Sequence, residues 1–235
     1  MRRYILLSLL SISLLWQCEK RQENSFLAQE IQQIDETTLA LPFNLNEKIT
    51  PLNNDSTVNV FVEIPAGFTD KWEVSKTGDL LKWDIKNGDP RIVDYLGYPG
   101  NYGMIPGTLL PQTQGGDGDP LDIIVLGPAV RRGSIIRAKI IGLLHLTDNQ
   151  EQDDKLIAVQ QNTPMYRVSG MTELRKLYPG VTEIIQQWFI QYKRGSTIES
   201  AGFGDASAAR YLLRQSIESY KKMLQKSELT SHRIF

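Results

Sequence analysis

At 235 residues the chain is long enough for one sizeable core, or at most two small domains. A hydrophobic fraction of 41% with 23% charged residues is ordinary for a soluble globular protein. The formal net charge of -1 gives no basic surface for nucleic acid, so no nucleic-acid partner is expected.

Residues 1–17 differ in kind from the rest. Met1-Arg2-Arg3-Tyr4 is a short basic start, and Ile5 to Leu15 is apolar apart from serines. The run is too short to span a bilayer comfortably and suits the core of a secretory signal peptide. Cys18, the only cysteine, follows at once and has no partner for an intramolecular disulfide. Leu15-Trp16-Gln17-Cys18 resembles a bacterial lipoprotein processing site, although that pattern has a small residue where Gln17 stands. The resemblance implies lipidation at Cys18, a membrane anchor, and export to the periplasm or cell envelope. The other readings are an ordinary secretion signal with an incidental cysteine, or a buried apolar N-terminal helix. Loss of the signal would remove Arg2 and Arg3 and leave a net charge of -3.

Residues 18–54 are polar and poorly periodic, and are expected to form a tether or loosely packed arm. The folded domain is expected over 55–235. From Val58 the pattern turns to short strand-like runs: Val58 to Ile64, Lys71 to Val74, Leu80 to Ile85, Leu121 to Leu126, Ser134 to Leu146 and Lys155 to Val159. Helical spacing comes only later. Val181, Ile184, Ile185, Trp188, Phe189 and Tyr192 share one apolar face. Leu213, Ile217, Tyr220 and Leu224 share another, in a helix starting near Asp205. Strands first and helices last predict an α+β fold: a small closed, OB-like β-barrel with two main C-terminal helices packed on it.

Chemistry concentrates at Asp117-Gly118-Asp119-Pro120-Leu121-Asp122. In extended chain, residues two apart point to the same side, so Asp117 and Asp119 converge. Pro120 fixes a bend that can bring Asp122 back toward them. Crowded carboxylates repel, and a hard divalent cation relieves that repulsion. An EF-hand is excluded, because its twelfth position would be Pro128 instead of glutamate. A second acidic group, Asp148 with Asp153, Asp154 and Lys155, lies in a loop between predicted strands. Glu63, Lys71, Glu73 and Arg91 form a third group, and Tyr98-Pro99-Gly100-Asn101-Tyr102-Gly103 a fourth. Tyr192-Lys193 ends the first apolar helix.

In order and spacing these groups resemble the soluble inorganic pyrophosphatases of family I, from about Val58 to Lys222. The resemblance implies that Asp117, Asp122 and Asp153 hold a first metal, with Asp122 bridging to a second. Asp148 and Asp153 would serve a further metal that arrives with the substrate, and Glu63 and Glu73 would act at the edge of the cluster, partly through water. Asp119 would be the general base. Lys71, Arg91, Tyr102, Lys155, Tyr192 and Lys193 would hold phosphate oxygens, and Tyr98 would support the aspartates. Arg91 shares its segment with two other cations, Lys82 and Lys86. The implied reaction is Mg2+-dependent hydrolysis of pyrophosphate to two orthophosphates by a metal-activated water, with Mn2+ or Zn2+ as substitutes. A homo-oligomer is also implied. The alternative is an anchored phosphate- or metal-binding protein that keeps the fold without turnover. Neither histidine is read as catalytic: His145 sits in an apolar strand, and His232 in the polar tail.

Overall fold

The structure is a computed structural model that describes residues 30–110 and 118–231. The predicted signal segment, Cys18, Asp117 and His232 lie outside the described residues.

The strands are β1 (Gln32–Asp35), β2 (Thr38–Ala40), β3 (Val58–Ile64), β4 (Trp72–Val74), β5 (Leu80–Trp83), β6 (Ile85–Lys86), β7 (Asp89–Pro90), β8 (Asn101–Met104), β9 (Asp122–Leu126), β10 (Ile135–Asp148), β11 (Glu151–Gln152), β12 (Lys155–Gln160) and β13 (Ile198–Asp205). The α-helices are α1 (Leu45–Lys48), α2 (Met171–Leu177), α3 (Val181–Gln191) and α4 (Ala206–Ser231). This is the α+β architecture expected.

Strands β10, β12, β9, β8 and β3 follow one another by hydrogen bonding, and β3 pairs back onto β10, which closes the barrel. All these pairings are antiparallel except β9 with β12. Side-chain alternation divides β9 and β12 between two clusters. Val58, Val60 and Val62 join Ile123, Val125, Leu156 and Ala158, and α4 adds Ala209 and Leu213. On the opposite face, Ile124, Leu126, Ile157 and Val159 meet Ile185, Trp188 and Phe189 of α3. Both faces are covered, which explains why β12 reads as an almost unbroken apolar run and is buried throughout.

Four differences from the sequence reading have physical causes. The described part of the 18–54 arm is folded onto the domain: β1, β2, β5 and β4 form a second sheet, and Leu41 and Leu45 bury against Phe61, Trp72 and Leu81. Its apolar residues gather in one short run, with Leu39, Leu41, Phe43 and Leu45 two apart, and the polar composition on either side masks them. The second difference is β13, a Gly-containing strand that forms by pairing along β10. Third, α2 spans too few residues to show helical periodicity. Fourth, both apolar helix faces outrun the core, since Ile184 is 60% exposed and Leu224 40% exposed.

Helix α4 starts where expected, because the Asp205 Oδ1 carboxylate oxygen accepts from the amides of Ser207 and Ala208 at 2.8 Å each. Gly103 is required by packing: a Cβ there would lie 1.9 Å from the Phe61 carbonyl oxygen across the β3–β8 pairing.

Candidate active site

The site is a cleft of about 1060 Å³ at one end of the barrel strands. It is lined by Glu63, Lys71, Glu73, Arg91, Tyr102, Asp119, Asp122, Asp148, Asp153, Lys155, Tyr192 and Lys193. These come from segments far apart in sequence, and strand register brings them together.

The parallel pairing of β9 with β12 aligns Ile123 with Leu156. The residues just before each, Asp122 and Lys155, therefore stand side by side at the strand ends. Lys155 Nζ donates to Asp122 Oδ2 at 2.5 Å and to Asp153 Oδ1 at 2.6 Å, with its side chain only 4% exposed. Burial alone would depress this ammonium, but Asp122 and Asp153 outweigh it and keep the lysine charged. The two carboxylates respond in opposite directions. Burial pushes both up, yet Lys155, Lys71 and a hydrogen bond from Tyr102 bring Asp122 below its usual value. Asp153 stays raised, because burial and the carboxylates of Asp122 and Asp148 exceed the help from Lys155.

Asp148 ends β10, and the chain that leaves α3 brings Lys193 to it as an ion pair. Its second oxygen, Oδ1, is buried without a hydrogen-bond partner among the described residues. Such an orphan acceptor costs free energy unless something positive meets it.

The opposite wall is built on β3 and β4. A register shift between Val62 and Ile64 falls at Glu63, as a bulge that re-aims a side chain does. The Glu63 carboxylate accepts from the Val74 amide at 2.7 Å, and Lys71 pairs with Glu73. Burial raises Glu63 from 4.5 to about 8, against the pull of Lys71 and that amide. A folded-state value above the unfolded one means the folded chain binds the proton more tightly. Chelator-treated protein should therefore lose stability as pH rises from about 4.5 to about 8, by up to ~1.4 kcal/mol per unit. Glu63→Gln should flatten that slope in thermal melts; an unchanged slope would exclude Glu63 as its source.

Arg91 pairs with Asp84 at 2.9 Å and lines the cleft, as Lys82 does, whereas Lys86 on the exposed β6–β7 hairpin does not. Tyr98 does not line the cleft. It lies buried behind it, its ring 4.3 Å from that of Trp188 and 5.0 Å from that of Tyr102. Tyr192 stacks on Trp188 at 4.6 Å. Asp119 sits between Gly118, at a φ of 88°, and Pro120, with its side chain 44% exposed and 3.2 Å from Lys76. It is a rim residue. Lys76, Trp83, Asp84 and Asp154 also line the cleft and were not singled out as site residues. Asp154 serves the fold, accepting from the Leu146 amide at 3.0 Å and facing His145 Nδ1 at 3.1 Å.

Among the described residues no three acidic, histidine or cysteine side chains already converge as a metal-binding set. The donors nevertheless fit a hard divalent cation. All are carboxylate oxygens, Asp153 is raised by burial and then by its acidic neighbours, and Asp148 Oδ1 lacks a partner among the described residues.

The family profile described as inorganic pyrophosphatase matches residues 60–221. The chain belongs to that family. Inorganic pyrophosphatase 1 of Pseudomonas syringae pv. tomato is 37% identical over 175 residues, covering 72% of this chain and 93% of that one. Inorganic pyrophosphatase of Saccharolobus solfataricus is 32% identical over 169 residues, covering 70% and 92%. The pyrophosphatase of Thermus thermophilus has a TM-score of 0.63 at 28% identity, covering 76% of this chain and 99% of its own. An N-terminally truncated Trypanosoma cruzi vacuolar soluble pyrophosphatase, crystallised with PPi, gives 0.69 at 28% identity, covering 75% and 72%. Within this family the cleft is where conversion of the substrate would be sought.

Proposed function

We propose that this chain hydrolyses inorganic pyrophosphate to two orthophosphates in a reaction that depends on divalent cations, Mg2+ first among them. The observation that carries this reading is the alternation of charge along one cleft, with Lys155 between Asp122 and Asp153, and Lys193 against Asp148. A dense polyanion needs such an arrangement: cations for its oxygens and carboxylates that hold further positive charge close by.

Asp122, Asp153 and Asp148 would hold the metals together with Asp117, and Glu63 and Glu73 would act at the edge. Bound divalent cations would screen the substrate and acidify an attacking water. Lys71, Arg91, Lys155 and Lys193 bind phosphate oxygens and offset the charge that develops on the leaving phosphate. Tyr102 and Tyr192 donate hydroxyl hydrogen bonds to the same oxygens, while Tyr98 holds that aromatic wall from behind. Asp119 takes the proton from water at the mouth of the cleft, where its exposure lets the proton pass to solvent.

The test is phosphate release by the purified chain from pyrophosphate, set beside a phosphomonoester and a nucleoside triphosphate. Preference for pyrophosphate by at least tenfold in kcat/KM is expected. Equal rates on all of them, or none on pyrophosphate, would overturn the reading.

We also propose that residues 1–17 direct export and that Cys18 carries lipid, supported by the apolar run and by the place of the lone cysteine. Fractionation that recovers the full-length, unlipidated chain in the cytosol would refute this. Among the described residues no helix is long and apolar enough to cross a membrane.

A further inference from the structure

Arg132 lies outside every motif that carries the family resemblance, and it does not line the cleft. It is nonetheless the residue that ties one wall of the site together. Its side chain is 20% exposed and makes four contacts. Nε donates to the Glu63 carbonyl at 2.9 Å, and Nη2 pairs with Asp70. The guanidinium lies 5.0 Å from the ring centre of Trp72 and 6.0 Å from that of Phe68.

Three of these contacts, with Glu63, Asp70 and Trp72, lead to cleft residues. Asp70 directly precedes Lys71 and also accepts from the Trp72 indole at 3.0 Å. Past Lys71 and Glu73 the chain reaches Val74, whose amide donates to the Glu63 carboxylate. Glu63 is therefore held at both ends, its carbonyl by Arg132 and its carboxylate by Val74. The circuit from Arg132 through Asp70 to Val74 and back closes on it. Trp72 in turn stacks on Trp83 at 5.2 Å, and the Trp83 indole donates to the Arg91 carbonyl at 2.9 Å. That same carbonyl accepts from the Lys71 amide at 3.0 Å.

We infer that the Arg132–Asp70 pair is a positioning device that sets Glu63, Lys71 and Arg91 in register with the aspartate side of the cleft. The inference rests on the pyrophosphatase reading and adds to it a pair that the motif residues do not include. A guanidinium is suited to this place, because one planar group donates along two directions while its faces rest on aromatic rings. A lysine offers a single charged point and could not reach both the Glu63 carbonyl and Asp70 in this way.

The test is a set of double-mutant comparisons in pyrophosphate hydrolysis by the full chain. Arg132→Met keeps the apolar contact and removes the pairing; it should lower kcat/KM about 10- to 100-fold, the scale of a small misplacement of catalytic groups. In a Lys71→Ala background the same change should cost at least about threefold less, because one of the groups it positions is already gone. In a Lys193→Ala background, on the other side of the cleft, it should again cost its full factor. Asp70→Asn should follow the same pattern with a smaller loss, and it carries the comparison if Arg132→Met does not fold. Equal losses in the Lys71→Ala and Lys193→Ala backgrounds would mean a general structural role and would overturn the inference. So would variants within about twofold of wild type. Wild-type protein inactive on pyrophosphate would instead overturn the functional reading, and this inference with it.

Discussion

Lys155→Met is expected to remove turnover about 10³-fold and to lower the melting temperature of chelator-treated protein. The ammonium is buried between two carboxylate oxygens at 2.5 and 2.6 Å. Removing one partner from a fully buried charge pair costs about 3–5 kcal/mol, because the other charge is left uncompensated. Here the aspartate side chains are 33% and 34% exposed, so water takes up part of the loss. A discounted figure of about 1–3 kcal/mol follows, or roughly 3–10 °C for a chain of this length. Added Mg2+ should return most of that stability, since it supplies positive charge to the same oxygens. It should not return turnover, because the donor to the substrate is still missing. Melting curves and phosphate release measured on the same preparations separate the two effects. Recovery of both with Mg2+ would show that Lys155 only balances charge.

Asp119→Asn should lose turnover without losing stability, with a kcat about 10²- to 10⁴-fold lower and a melting temperature within about 1 °C of wild type. Asp119 is 44% exposed and its contact with Lys76 is a surface pair, so the fold has little invested in its charge. Asparagine keeps the shape and loses the ability to accept a proton. The KM for pyrophosphate should change little. A turnover within tenfold of wild type would mean that another group accepts the proton.

The two aspartates differ in how far sequence alone could place them. Asp119 and Asp122 stand in one short motif, and the bend at Pro120 is expected to bring Asp122 back toward Asp117 and Asp119. In the structure Asp122 opens β9 beside Lys155, whereas Asp119 lies at the rim near Lys76. The closeness of Asp122 and Lys155 depends on parallel pairing of β9 with β12, which no local pattern announces. The strands with dense apolar runs were legible because burial on both faces leaves that signature. β13 was not, since five of its eight residues are glycine, serine or acidic, and β10 supplies the pairing. The arm before Val58 misled for a related reason. Leu41 and Leu45 belong to a short apolar run, Leu39 to Leu45, that the polar composition around it masks, and they pack beside Phe61. Arg132 and Asp70 lie in different segments and meet only once the barrel has closed, so nothing in either segment marks them as a pair.

The most direct test is phosphate release from pyrophosphate by the purified chain, first stripped with a chelator and then titrated with Mg2+. Release that is absent after stripping and returns with added Mg2+ is the expected result. Release that persists unchanged without metal, or stays absent at saturating Mg2+, would contradict a metal-dependent pyrophosphatase built on Asp122, Asp148 and Asp153.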